Sequence, residues 1–334
     1  MLEELHLDLP PMFSELPSMP ALKYLHLDFS RVDYYFPKST SPLNKEEARM
    51  KTLARGLKFP CLQKFITQRL LCDPNTSKQL SFNHDHQLPS SVSELHLFQC
   101  KYASTDILKD IILSIKCLKS FVVDHYWTHQ RYGAEEPSLS GIDQALIPHQ
   151  DSLEELMIAT SGGATMNTTV PIESLLNFAA LKRLAIPEHF LIPSKGRRKT
   201  LHDLLPPSLY VLQLQHCVND VRVDRDLPRR LKLYTSLAKN KCTNLPALKR
   251  LVCWYKQYTE PLLFEDAVLP LVVAEHLADR FRKVGARFQW VKTSMFLSTP
   301  FGMELETPFW DDMVEMHEWN RDQYIEYDSD PWWD

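Results

Sequence analysis

A six-residue pattern, L-x-x-L-x-L, recurs nine times in this chain, and no other feature narrows the possible folds so far. Its apolar positions are filled by Leu2, Leu5 and Leu7, then by Leu22, Leu25 and Leu27, and more loosely by Leu62, Phe65 and Thr67. Val92, Leu95 and Leu97 follow, then Leu118, Phe121 and Val123, then Leu153, Leu156 and Ile158. The last three copies are Leu181, Leu184 and Ile186; Leu209, Leu212 and Leu214; and Leu248, Leu251 and Cys253. Successive copies start 20, 40, 30, 26, 35, 28, 28 and 39 residues apart. Regular leucine-rich repeats run about 20–29 residues, so the array is irregular, with loops inserted between several rungs.

Side chains alternate faces along a strand. The fourth and sixth pattern positions therefore point together into a core, and the third, fifth and seventh point away from it. One such strand cannot bury its apolar side alone, but stacked neighbours can. The expected fold is α/β: an irregular leucine-rich-repeat solenoid, a horseshoe with a parallel sheet on its concave face and helices and loops on its convex face. Residues 1–302 would form the solenoid and residues 303–334 an acidic, aromatic cap or tail. Two copies run on to a cysteine, Cys100 and Cys217, where the chain is expected to leave the strand and a small buried thiol suits the turn.

Return helices are expected between the strands. Asn44–Leu57 is rich in helix formers, with Leu53 and Leu57 four apart. Ser104–Lys116 opens on Ser-Thr-Asp and sets Ile107, Leu108, Ile111, Ile112 and Ile115 on one stripe. Ile142–Ile147, Ile172–Phe178 and Arg230–Ala238 are shorter candidates. Ala267–Val284 reads as the last helix, ended by Gly285, with Ala286–Lys292 a closing strand.

Composition removes several function classes. Eight glycines stand against 23 prolines, and neither GxGxxG nor GxxxxGK occurs, so nucleotide binding through such loops is not expected. Seven scattered cysteines, with no CxxC pair, point to reduced thiols and a cytoplasmic or nuclear location. The start of the chain has neither a basic region nor an apolar run, so no signal peptide is expected. No stretch approaches the roughly 20 apolar residues of a membrane span.

Several segments resemble the leucine-rich-repeat regions of F-box-type proteins common in filamentous fungi. The carrying stretches are Leu146–Leu156, Ser174–Leu184 and Asp203–Leu212, within a likeness over most of residues 90–295. In that family the repeats hold a substrate while an N-terminal F-box recruits a ubiquitin-ligase scaffold. Here a repeat strand begins at Leu2, so the chain resembles the repeat half alone. A ligase adaptor is an expected partner only if an F-box is missing from this chain.

The third, fifth and seventh positions define the face offered to a partner. His6, Asp8, Tyr24, His26, Asp28, Glu94, His96 and Phe98 occupy its first four strands, and Arg183, Arg250 and Trp254 its later ones. That face is acidic and histidine-bearing at one end and more basic at the other. Arginine and aromatic side chains are favoured interface anchors. His6, Asp8, His26 and Asp28 could also form a zinc site across two strands, or a pH-sensitive contact; a tolerated histidine on the wet side of a sheet is the simpler account and the one expected here. His84 and His86 read as a solvated loop. Ser161 lacks the GxSxG elbow of a nucleophilic serine. Lys195–Lys199 reads as a solvated basic loop or a nuclear-targeting run.

Residues 303–334 hold eleven acidic residues and one basic one, a net of −10, while the remaining 302 residues carry 37 basic and 31 acidic, a net of +6. The same tail holds four of the seven tryptophans. Phe309–Tyr324 is expected to cap the last core layer and Tyr327–Asp334 to be disordered; the competing use is a docking segment for a partner or for the protein's own basic end near Arg183 and Arg250. The body's charge is too small and too scattered to suggest nucleic acid. The expected function is therefore non-catalytic protein binding on the concave face, with neither cofactor nor metal and no membrane contact. The alternative is a hydrolase or metal-dependent enzyme using the His/Asp-bearing face.

Overall fold

The computed structural model describes residues 4–8, 21–29, 42–68, 70, 90–100, 105–126, 141–161, 172, 174–191, 200–218, 223–257 and 271–293. Ten strands form one sheet, every pair parallel, in the order in which they occur along the chain. They are β1 (Glu4–Asp8), β2 (Tyr24–Asp28), β3 (Lys64–Gln68), β4 (Glu94–Cys100) and β5 (Ser120–Tyr126). β6 (Glu155–Ser161), β7 (Arg183–Pro187), β8 (Val211–Val218), β9 (Arg250–Gln257) and β10 (Arg287–Thr293) complete it. The first nine are the nine pattern copies, and β10 is the closing strand expected from the sequence.

Register follows the pattern without slippage at its fourth position. Leu5, Leu25, Phe65, Leu95, Phe121, Leu156, Leu184, Leu212, Leu251 and Phe288 stand side by side in one row. A one-residue shift would turn every one of these side chains to the other face, so core burial holds the alignment. The pattern's first residue is fully buried in each of the eight copies from Leu22 to Leu248.

A repeated backbone device sets where each strand begins. The carbonyl of the second pattern residue accepts two amides from the next rung: Lys23 from Gln63 and Lys64, Gln63 from Ser93 and Glu94, and Ser93 from Lys119 and Ser120. The same fork recurs at Lys119, Glu154, Lys182 and Tyr210. Both lone pairs of each carbonyl are used. Three rungs add a serine staple just before the pattern, with Ser91, Ser152 and Ser208 hydroxyls donating to the carbonyls of Leu62, Leu118 and Leu181 in the rung before.

Helices return the chain along one face of the sheet. They are α1 (Pro42–Gly56), α2 (Thr105–Leu113), α3 (Ile142–Leu146, continued as a 3-10 turn through His149), α4 (Val223–Asn244) and α5 (Leu271–Lys283). α1 sets Met50 and Leu53 on the sheet, and Gly56 lies so close that a Cβ there would stand 2.9 Å from the Phe65 ring. α2 contributes Leu108, Ile111 and Ile112, α4 Tyr234, Leu237 and Ala238, and α5 Leu277 and Phe281. Phe281 stacks on Phe288 of β10 with centroids 5.7 Å apart. α5 ends as the sequence predicts. Gly285 has φ +73, its amide donates to Arg282 and the Ala286 amide to Phe281, the paired bonds of a Schellman turn.

Three expectations need correction. The described residues of Ile172–Phe178 are not helical, with a turn at Leu176 and Asn177, because the amides of Ile172 and Leu175 are bound by the distant carbonyls of Phe190 and Leu204 in place of helical partners. The Arg230–Ala238 helix is part of the longer α4, which runs through Pro228, ordinarily a helix boundary. The chain does not leave the strand at Cys217, since β8 continues to Val218. The proposed boundary at residue 302, the tail, His84, His86 and Lys195–Lys199 lie outside the described residues.

Candidate binding face

All the helical core residues belong to one hydrophobic cluster with the fourth- and sixth-position side chains. The odd positions build the opposite, second face of the sheet, in three rows. Its middle row runs His6, His26, Ile66, His96, Val122, Met157, Ala185, Gln213, Val252 and Gln289 by register. Sequence alternation assigns this row to water, and the structure does not. Val122 is 0% exposed, and Ile66, His96, Met157, Gln213 and Val252 are each at 2% or less. Ile66, Phe98, Val122, Met157 and Ala185 form a second hydrophobic cluster, with Tyr24 and Ala159 packed against it. The cue was present in the sequence, since the fifth pattern position is apolar in Ile66, Val122, Met157, Ala185 and Val252.

The strand-start row carries the charge. Lys64 bridges Glu94 at 3.8 Å and lies 5.8 Å from the centre of the Tyr24 ring. Arg183 is hydrogen-bonded to Glu155, and just outside that row Lys182 pairs with Glu154. Burial raises the Glu155 carboxyl above its ordinary range despite the Arg183 charge and a Ser120 hydrogen bond. The Lys182 hydrogen bond instead lowers that of the neighbouring, more exposed Glu154. Toward the end of the sheet the row reads Val211, Arg250 and Arg287, with exposed Lys249 just before Arg250.

One polar chain crosses four strands. His96 Nε2 lies 3.3 Å from Ser120 Oγ, and Ser120 Oγ donates to Glu155 Oε2 at 3.3 Å, with Arg183 on the same carboxylate. Burial, with the Lys64 charge second, pushes the His96 imidazole down to about 3. A neutral ring whose Nε2–H donates to the serine leaves the hydroxyl proton directed at the carboxylate. This is not the nucleophile–base–acid order of an activated serine, in which the imidazole accepts that proton. The chain of contacts holds four strands in register.

The eleven residues expected to meet a partner divide as follows. Asp28, His96 and Phe98 are buried, and Tyr24, His26, Glu94, Arg183 and Arg250 are partly buried. His6 and Asp8 on β1, and Trp254 on β9, sit at the expected register positions, and their side chains lie outside the described set. Register sets His6 beside His26 and Asp8 beside Asp28. Among the described residues no group of three or more His, Cys, Asp or Glu side chains could hold a metal ion, and no helix is long and apolar enough to cross a membrane.

Sequence reading missed His149. It is buried on the helix side, where its Nε2 donates to Ile112 O at 3.2 Å and its Nδ1 accepts the Leu118 amide at 3.3 Å, tying α2 to the start of β5. Desolvation lowers its pKa, against the hydrogen bond to Ile112. Comparisons of the whole chain with protein-family models, with curated proteins and with solved structures return no match.

Proposed function

We propose that this chain is a leucine-rich-repeat horseshoe whose second, concave face binds another protein without catalysing a reaction. The observation that carries the reading is the register: ten strands in chain order, one leucine row, and on the other side a graded strip of ionic, apolar and amide side chains. Such a strip has the composition of an interface, with an apolar centre and charged margins. The resemblance to fungal F-box-type repeat regions extends the proposal. The partner would then be a substrate held for ubiquitination, and a ligase adaptor would join only through an F-box absent from this chain.

The test is quantitative affinity capture with the intact chain as bait. Tyr24→Ala with Glu4→Lys alters the acidic end of the second face, and Lys232→Glu with Lys239→Glu alters exposed helix positions on α4. A partner recovered by the wild type and by the α4 variant, and reduced at least about tenfold by the β1–β2 variant, supports the reading; a tenfold change is about 1.4 kcal/mol. A partner lost with the α4 variant and kept by the β1–β2 variant contradicts it.

A further inference from the structure

Among the described residues only four large hydrophobic side chains are exposed: Leu113 at 50%, Ile147 at 47%, Leu176 at 45% and Tyr210 at 51%. Apolar residues scattered singly over a surface need no explanation, but these four are not scattered. Leu113 closes α2, Ile147 opens the 3-10 turn after α3, Leu176 lies in the turn before β7, and Tyr210 immediately precedes β8. They belong to four successive rungs, β5 to β8, and to one flank of the fold, where the chain returns from the helix side and each strand starts. His149 fixes part of that flank. Its ring binds the Ile112 carbonyl and the Leu118 amide, so their exposed neighbours Leu113 and Lys119 are drawn to the same residue as Ile147, two positions before it. Tyr210 is set between two lysines, since its amide donates to the Lys182 carbonyl and its own carbonyl accepts the Lys249 amide. A floor held in this way has little freedom to lose when it is covered.

Charge and backbone narrow the occupant. Lys58, Lys116, Lys119, Lys182 and Lys249 are exposed along the flank. The acids beside them are Asp151, Glu154 bound to Lys182, and Asp203 bound to Thr200. A second copy offering the same patch would set lysine against lysine, so the surface suits an acidic partner. Insertion into a lipid surface takes an apolar face about 5–10 Å deep, whereas these four side chains keep about half their area within the fold. An extended peptide cannot add here as a further strand, because the carbonyls of Lys119, Glu154, Lys182 and Tyr210 each already accept two amides. The occupant must satisfy its own backbone, and a helix does so.

We propose that the strand-start flank of β5–β8 is a further docking surface, separate from the second face of the sheet, for an acidic amphipathic helix of another protein. The apolar stripe of that helix covers Leu113, Ile147, Leu176 and Tyr210, and its acidic margins meet the lysines. Binding on the second face is not required for it.

The test pans the intact chain against a displayed library of helical peptides of about 18 residues, five turns. Leu, Ile, Phe or Trp form one stripe, Asp and Glu fill the margins, and a matching library carries Lys in place of the acids. The expected result is an acidic peptide that binds saturably, with a Kd below about 0.1 mM. It should slow labelling of exposed Cys117 several-fold, while exposed Cys61, two rungs away before β3, reacts as before. Ile147→Ser with Leu176→Ser should weaken binding at least about tenfold, as should Lys119→Glu with Lys249→Glu. Tyr24→Ala with Glu4→Lys should leave it unchanged; a complex lost with that pair lies on the second face and overturns the proposal. The absence of an acidic binder, equal binding by the lysine library, or indifference to Ile147→Ser with Leu176→Ser each overturns it too. So does co-sedimentation with vesicles about one-quarter phosphatidylserine, or a dimer in solution, abolished by that same pair: the occupant is then lipid or a second copy.

Discussion

Each face of this sheet buries a row of side chains, but by different means. On the helix side, Leu25, Leu95, Leu156, Leu184, Leu212 and Leu251 meet Leu53, Ile111, Leu237 and Phe281 in a continuous aliphatic layer. On the second face, Ile66, Val122 and Met157 alternate with His96, Ser120, Gln68 and Gln213, and an ionic row runs along the strand starts. An aliphatic layer is nearly indifferent to which apolar side chain sits where. A mixed layer is specific, since each polar group in it must find its own partner. The helix side supplies most of the stability, and the second face supplies identity.

Truncations should show that difference most strongly. Leu184→Ala, in the middle of the leucine row, is expected to destabilise by about 3–5 kcal/mol, and Met157→Ala on the second face by about 2 kcal/mol, in urea unfolding midpoints. If Met157→Ala is neutral, that face is open to water and the comparison fails.

Arg183→Ala comes next, at about 1–3 kcal/mol, because it strands the partly buried Glu155 carboxylate. Adding Glu155→Gln should recover part of the loss, whereas a double variant as unstable as the sum of both singles would deny the coupling.

Smallest at neutral pH, because it emerges only in acid, is the effect on pH dependence. The His96 and His149 pKa values are both depressed in the folded chain, chiefly by burial. The unfolded chain, with its histidines near 6.5, then binds more protons than the folded one. Stability is complete above about pH 6.5 and falls as pH drops, for His96 down to about 3, by up to about 1.4 kcal/mol per pH unit per histidine. His96→Gln with His149→Gln should flatten the slope between pH 4 and 6.5 in thermal denaturation. An unchanged slope would mean that neither ring is held neutral.

The helix-side layer was readable from the chain alone, since leucines at fixed offsets give both strand position and register. Even the irregular copy at Phe65 and Thr67 falls into line. Gly285, with positive φ at the end of α5, was equally legible. The non-helical course of Ile172 and of Ser174–Phe178 was not, because the carbonyls that capture the Ile172 and Leu175 amides, Phe190 and Leu204, are far off in sequence. Alternation also misleads at the fifth position. It tells which residues share a face but not whether that face is wet, so His96 reads as a surface residue and is instead enclosed beside Ser120 and Phe98. The forked carbonyls are backbone devices with no side-chain signature, whereas the staples leave one, a serine just before the pattern at Ser91, Ser152 and Ser208.

Thiol labelling of Val122→Cys in the intact chain tests most directly whether the second face is covered. Native Cys117, exposed and three residues before the start of β5, serves as internal standard in the same digest. The account predicts that Cys117 reacts at once while the introduced thiol reacts at least about a hundredfold more slowly, gated by opening of the fold. Reaction at both sites within a few-fold of each other would mean that the row lies bare, and would contradict the account.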